Sequence, residues 1–125
     1  MNHYETVFIT SPLVTDSQLK DTVARFKELM TQNGAEIVHE EDWGLKKFAY
    51  PIKKKTTGYY NLIEFKCEPD LILRLETEFN RDEKILRYLT TKLDKYGAEY
   101  NLKRRKEGKT YPELKIEPKI DLMKP

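Results

Sequence analysis

Residues 4–10, Tyr-Glu-Thr-Val-Phe-Ile-Thr, are dense in β-branched and aromatic types and predict a strand that Pro12 ends. Thr15-Asp16-Ser17-Gln18 has the spacing of a capping box, with Thr15 as N-cap and Gln18 reaching back. The helix it opens places Leu19, Val23, Phe26 and Met30 on one face at helical spacing, with Ala24 and Leu29 beside them. Gly34 stands where a left-handed residue would end that helix. A second strand is predicted over 35–43, where Ile37 and Val38 are good formers and Glu40-Glu41-Asp42 are not. Trp43-Gly44 interrupts it as a bulge, and pairing resumes through Ile52. Lys55-Thr56-Thr57-Gly58 reads as a turn and 59–67 as the return strand. Pro69 suits the first turn of a second helix, with Leu71, Ile72, Leu75 and Phe79 as its apolar stripe, and 85–93 is the last strand.

The order β-α-β-β-α-β predicts an α+β, ferredoxin-like fold: a four-stranded antiparallel sheet with both helices on one face. The helix-facing side is expected to hold Phe8, Ile37, Ile63, Phe65, Leu86 and Tyr88. The opposite side would carry Val7, Ile9, Tyr60, Leu62 and Leu89, which is more apolar than a solvated antiparallel face and reads as a binding surface or as scattered surface hydrophobes. In this order the second strand is an edge, where Pro51 breaks no ladder bond and guards against pairing with a wrong chain.

At 125 residues the chain is sized for one domain. No apolar run is long enough for a membrane span, and the opening MNHYETVFIT has no secretion-signal pattern. The single cysteine, Cys67, forms no internal disulfide, which fits a reducing cytoplasm. Net charge is unevenly spread. Residues 1–94 hold 14 Lys+Arg against 16 Asp+Glu, or −2, while residues 95–125 hold 9 against 5, or +4. The pattern predicts a nearly neutral domain over 1–94 and a basic tail over 95–125. Pro112, Pro118 and Pro125 and the charge of that tail argue against independent folding, so it is expected to extend or to order only on assembly.

Signals for catalysis are weak. His3, His39 and Cys67 lack metal-ligand spacing, Glu40-Glu41-Asp42 would alternate faces in a strand, and neither glycine-rich phosphate loop occurs. No enzyme, cofactor or metal is expected. The stronger signal is basic-aromatic interleaving: Lys46, Lys47, Phe48, Tyr50, Lys53, Lys54, Lys55, Tyr59 and Tyr60 crowd one hairpin, and Lys103-Arg104-Arg105-Lys106 forms a second basic run. Lysines neutralise phosphates and aromatics stack on unpaired bases. The element order is shared with RNA-recognition motifs, but Gly58 to Phe65 departs from their third-strand pattern. Tyr60 takes the small-residue position and Asn61 replaces a stacking aromatic.

Gly44-Leu45-Lys46-Lys47-Phe48-Ala49-Tyr50-Pro51-Ile52-Lys53 resembles the signature of the bacterial small-ribosomal-subunit protein S-six family. Tyr4-Glu5, Ser11-Pro12, Gly58-Tyr59-Tyr60 and Arg87-Tyr88-Leu89-Thr90-Thr91-Lys92 resemble the family in the same order, so the likeness covers residues 1 to 94. Asn2 and Phe48 depart from it, standing where a basic residue and leucine are usual. The resemblance implies a structural, ribosome-bound cytoplasmic protein that pairs with ribosomal protein S-eighteen, the pair binding the central domain of small-subunit rRNA. On this reading Tyr4, Lys46, Lys47, Tyr50, Lys53, Lys54, Arg87 and Lys92 are the candidate contacts to RNA or partner; Lys103, Arg104, Arg105 and Lys106 of the tail, which the resemblance does not reach, join them on charge alone. Val7, Ile9, Tyr60, Leu62 and Leu89 are the candidate protein interface. The competing expectations are a stand-alone RNA-recognition module and a small-molecule sensor or enzyme on the same scaffold.

Overall fold

The capping box forms as its spacing predicts. The Gln18 N–H donates to Thr15 Oγ1 at 3.1 Å, and the Thr15 N–H donates to Gln18 Oε1 at 2.9 Å. Helix α1 (Asp16–Gln32) starts there in the computed structural model, which describes residues 1–106. Gly34, at φ +86°, turns the chain away from the helix, and the Ala35 N–H closes on the Met30 carbonyl at 2.9 Å. Before α1 lies β1 (Asn2–Thr10), and after it come β2 (Glu36–Ile52), β3 (Lys55–Cys67), α2 (Pro69–Arg81), β4 (Ile85–Leu93) and α3 (Lys95–Lys106). Pro69 opens α2, with Asp70 in the first turn and Arg81 in the last, each sign matched to the helix dipole.

The sheet order is β2-β3-β1-β4 and every pairing is antiparallel. β1 and β3 are central, and β2 is an edge, as expected. On the helix side Phe8, Phe26 and Phe79 form a triad with ring centroids 4.5 to 5.7 Å apart, and Tyr88 stacks on Phe79 at 5.0 Å. Met30, Ile63, Phe65, Leu71 and Leu75 complete a dry core.

Leu86 does not join that core. β1 meets β4 as Ile9↔Arg87 and then Thr10↔Ile85, which leaves Leu86 as the extra residue of a bulge. One inserted residue exchanges the faces beyond it, so Ile85 packs under the helices and Leu86 on the opposite side.

That opposite side is not an open surface. Val7, Ile9, Tyr60, Leu62 and Leu86 are buried beneath Phe48 and Ile52, which come from the far end of the β2–β3 hairpin. The hairpin reaches them because its strands fall out of step. Lys47 pairs with Thr57 and Ile52 with Lys55, so Phe48, Ala49, Tyr50 and Pro51 together face Thr56 alone. Pro51 sits in this bulge, where no ladder N–H is needed. The turn is also displaced from the predicted Lys55–Gly58. It is the two-residue loop Lys53-Lys54, with both φ values positive at 49° and 67°. Gly58 has another reason to be glycine: a Cβ there would stand 2.5 Å from Ile9 Cγ2 and 2.8 Å from Phe48 Cζ.

The tail, expected to extend or to order only on assembly, begins as α3. Asp94 caps it, its Oδ1 accepting the Gly97 N–H at 2.7 Å. Residues 107–125 of the predicted tail lie outside the described residues.

Candidate nucleic-acid interface

The Lys53-Lys54 loop is built on unfavourable backbone. Left-handed conformation costs a side-chain-bearing residue about 1–2 kcal/mol, and hairpin loops of this shape favour Asn-Gly. The same loop, by folding over the sheet, carries Lys53 from the β2 edge to β4. There Lys53 and Arg87 line one pocket of about 250 Å³ with Asn80 and Tyr88. Arg87 Nε is buried and has no hydrogen-bond partner among the described residues. A guanidinium with an unused inward donor, facing a lysine across a small polar pocket, is suited to an oxyanion.

The other predicted contacts scatter around this point. Lys54 is exposed beside Lys53 at the hairpin tip. Lys46 lies opposite Gly58, on the same face of the sheet as Arg87, whereas Lys47 pairs with Thr57 and points to the other face. Tyr50 is half-buried in the bulge. Lys92 pairs with Tyr4 at the far end of β4, so it belongs to a different neighbourhood from Lys53.

Two groups of expected contacts are corrected. Tyr4 has its ring in the helix-side core, stacked on Phe65 at 5.9 Å, and only 7% of the residue is exposed. Its hydroxyl accepts from Asn2 Nδ2. Of the expected protein interface, Val7, Ile9, Tyr60 and Leu62 are each at most 4% exposed, because the chain's own hairpin covers them; Leu89 alone stays half-exposed. Lys103 is exposed near the end of α3, while Arg104, Arg105 and Lys106 occupy its last positions and their side chains fall outside the described residues.

Sequence reasoning missed Asn80, and it placed Tyr88 in the core and in a family-like stretch but not among the contacts. Nothing local marks either, since the pocket exists only once the hairpin crosses the sheet.

Farther along the same face the character changes. Glu5 and Glu64 are buried side by side across β1 and β3. His3 Nε2 meets Glu64 Oε2 at 2.7 Å, His39 Nε2 meets Glu41 Oε2 at 3.0 Å, and Trp43 Nε1 donates to Glu41 Oε1 at 3.0 Å. Carboxylates thus dominate one end of the face, with Lys66 as a neighbouring cation, while Lys46, Lys53 and Arg87 lie toward the other. Among the described residues no three His, Cys, Asp or Glu side chains are placed to hold a metal ion. Cys67 is fully buried in the helix-side core; burial, and secondarily the Glu68 carboxylate, push its thiol up to about 11.

Comparison with known proteins adds a separate line of support. Residues 3–92 match the family model described as ribosomal protein S6. The chain is 58% identical over 113 residues to the small ribosomal subunit protein bS6 of Phocaeicola vulgatus, covering 90% of this chain and 99% of that one. It is 49% identical over 110 residues to the bS6 protein of Flavobacterium johnsoniae, covering 88% and 97%. Among solved structures, the crystal structure of 30S ribosomal protein S6 from Thermotoga maritima superimposes with a TM-score of 0.73 at 29% identity, covering 86% of this chain and 98% of that one.

Proposed function

The chain belongs to the ribosomal protein S6 family, a family of structural proteins of the small ribosomal subunit and not of enzymes, and from that premise we propose that it binds the central domain of small-subunit rRNA together with ribosomal protein S-eighteen. In this reading the hairpin tip and β4 grip the RNA backbone through Lys53, Lys54 and Arg87. The observation that carries it is the pocket between Lys53 and Arg87, with the buried Arg87 Nε lacking an acceptor among the described residues. A phosphate oxygen would satisfy that donor, and Lys53 would neutralise the remaining charge. Such contacts position a protein on RNA and carry no base code.

The need for a partner follows from charge. Residues 1–94 carry a formal −2, and a domain that bound rRNA unaided would normally present a broad basic surface. Three cations at one tip supply register and orientation more than affinity. Leu89, half-exposed beside the hairpin-covered patch, and the basic end of α3 are the proposed places of partner or RNA contact. A stand-alone RNA-recognition module fits less well, because its stacking platform would be the sheet face that Phe48 and Ile52 occupy here.

The test is binding of the purified protein to a central-domain rRNA fragment, with and without S-eighteen, across a salt series. Binding that requires S-eighteen is the expected result. Removing Lys53, Lys54 and Arg87 together gives up about two phosphates, since Lys53 and Arg87 share one, and should then flatten the slope of log K against log salt by about 1 to 2. Tight binding by the protein alone would replace this reading with an independent RNA module.

A further inference from the structure

The helix side of the sheet is not fully closed. α1 buries Phe26 and Met30, but toward its start Leu19 and Val23 stay half-buried and Ala24 is exposed. These residues form one wall of a groove of about 380 Å³, with Asp42 of β2 on the other wall, Asp16 at one end and Asn61 of β3 inside. Asn61 is 7% exposed, and its Oδ1 has no hydrogen-bond partner among the described residues. A buried carbonyl acceptor without a donor is costly, and its presence beside an opening points to a donor that arrives from outside. Asp42 stands directly across the ladder from Asn61. Its Oδ1 takes the Gly44 N–H at 2.8 Å, and the carboxylate retains further accepting capacity. Two lysines also line the groove, Lys27, paired with Glu40 at 2.8 Å, and the exposed Lys20, so three carboxylates, Asp16, Glu40 and Asp42, stand against two cations.

We propose that this groove binds an arginine side chain presented by a basic polypeptide segment. The guanidinium carries five donors in a fixed plane, which suits Asn61 Oδ1 and the Asp42 and Asp16 carboxylates at once. Its aliphatic stem would lie along Leu19 and Val23. The volume suits one long side chain. The carboxylates that favour a guanidinium repel phosphate, so the groove and the cationic hairpin tip serve different partners. Lysine, a point charge with three rotatable donors, matches the planar arrangement less well. Arginine binding in this groove does not require RNA at the hairpin tip.

The experiment is an NMR titration of the ¹⁵N-labelled full chain with a decapeptide of alternating arginine and alanine, and in parallel with its lysine counterpart. Shifts should concentrate on the Asn61 side-chain amide and the backbone amides of Asp42 and Ala24, with the arginine peptide bound about tenfold more tightly. Asn61→Leu removes an unpartnered buried acceptor, so it should fold at least as stably while losing most of that affinity. Asp42→Asn keeps an acceptor for the Gly44 N–H and should weaken the arginine peptide severalfold whether or not Asn61→Leu folds. No binding at millimolar peptide, shifts spread evenly over the acidic surface, equal affinity for lysine, or indifference to both substitutions would each overturn the proposal. So would a control in which a single-stranded RNA oligonucleotide, and not the peptide, moves the groove amides.

Discussion

The two faces of this sheet are buried by different means. One lies under two helices whose apolar stripes can be read from spacing alone, and its core is an aromatic cluster of Phe8, Phe26 and Phe79. The other is covered by the sheet's own hairpin, which loses register after Lys47 and folds Phe48 and Ile52 back over Val7, Ile9 and Tyr60. Helix cover supplies the larger aromatic core and leaves the groove beside the start of α1 open. Hairpin cover ends in a loop of two lysines and delivers one of them to Arg87. The contrast teaches that the second face trades an open platform for a positioned cationic tip.

Four changes test that contrast, in descending size. Phe79→Ala empties the centre of the helix-side core and should cost about 3–5 kcal/mol in denaturant unfolding; a loss below ~1 kcal/mol would mean that this core is not the main source of stability. Gly58→Ala should cost about 1–3 kcal/mol, because its Cβ must push Ile9 or Phe48 aside. It should also weaken RNA binding by lifting the hairpin tip, so a neutral result in both assays would break the account of the second face. Cys67 probes the dryness of the helix side through pH. Its folded-state value near 11 exceeds the ordinary 9.0, so the unfolded chain gives up this proton first. Stability from this group is therefore constant below pH 9 and falls as pH rises from 9 toward 11, by on the order of 2 kcal/mol relative to Cys67→Ala. Identical pH profiles for the two proteins would contradict a desolvated thiol. Smallest, the double change Lys53→Asn and Lys54→Gly should raise stability by about 1 kcal/mol by relieving the left-handed lysines, while lowering RNA affinity.

Legibility in the sequence followed the same division. Capping box, helix stripes, strand order and the faces of Phe8, Ile63, Val7 and Leu62 were readable, because each depends on residues near in sequence. Leu86 was misassigned because a bulge belongs to a pair of strands and leaves no mark on either alone. Gly58 was read as a turn residue because a glycine needed for close approach looks the same as one needed for φ. The turn itself sits on two lysines that no turn rule selects. Val7, Ile9, Tyr60 and Leu62 looked like an interface because the residues that cover them, Phe48 and Ile52, reach them only when the hairpin folds back. The start of α3 had a readable signal in Asp94, an N-cap residue three before Gly97, which the charge and proline content of the tail obscured. For the contact site, residue types were legible and their grouping was not: Lys53 joins Arg87, while Tyr4 and Lys92 stand elsewhere.

The central claim is that the folded-back hairpin makes Lys53 and Arg87 one site. A double-mutant cycle tests it most directly, measuring binding of the complex with S-eighteen to central-domain rRNA for Lys53→Ala, Arg87→Ala and both together. Two cations on one phosphate should couple by about 1 kcal/mol or more, so the double variant loses less than the sum of the singles. Additive losses within about 0.3 kcal/mol would mean that the two side chains act on separate partners, and the shared site would be wrong.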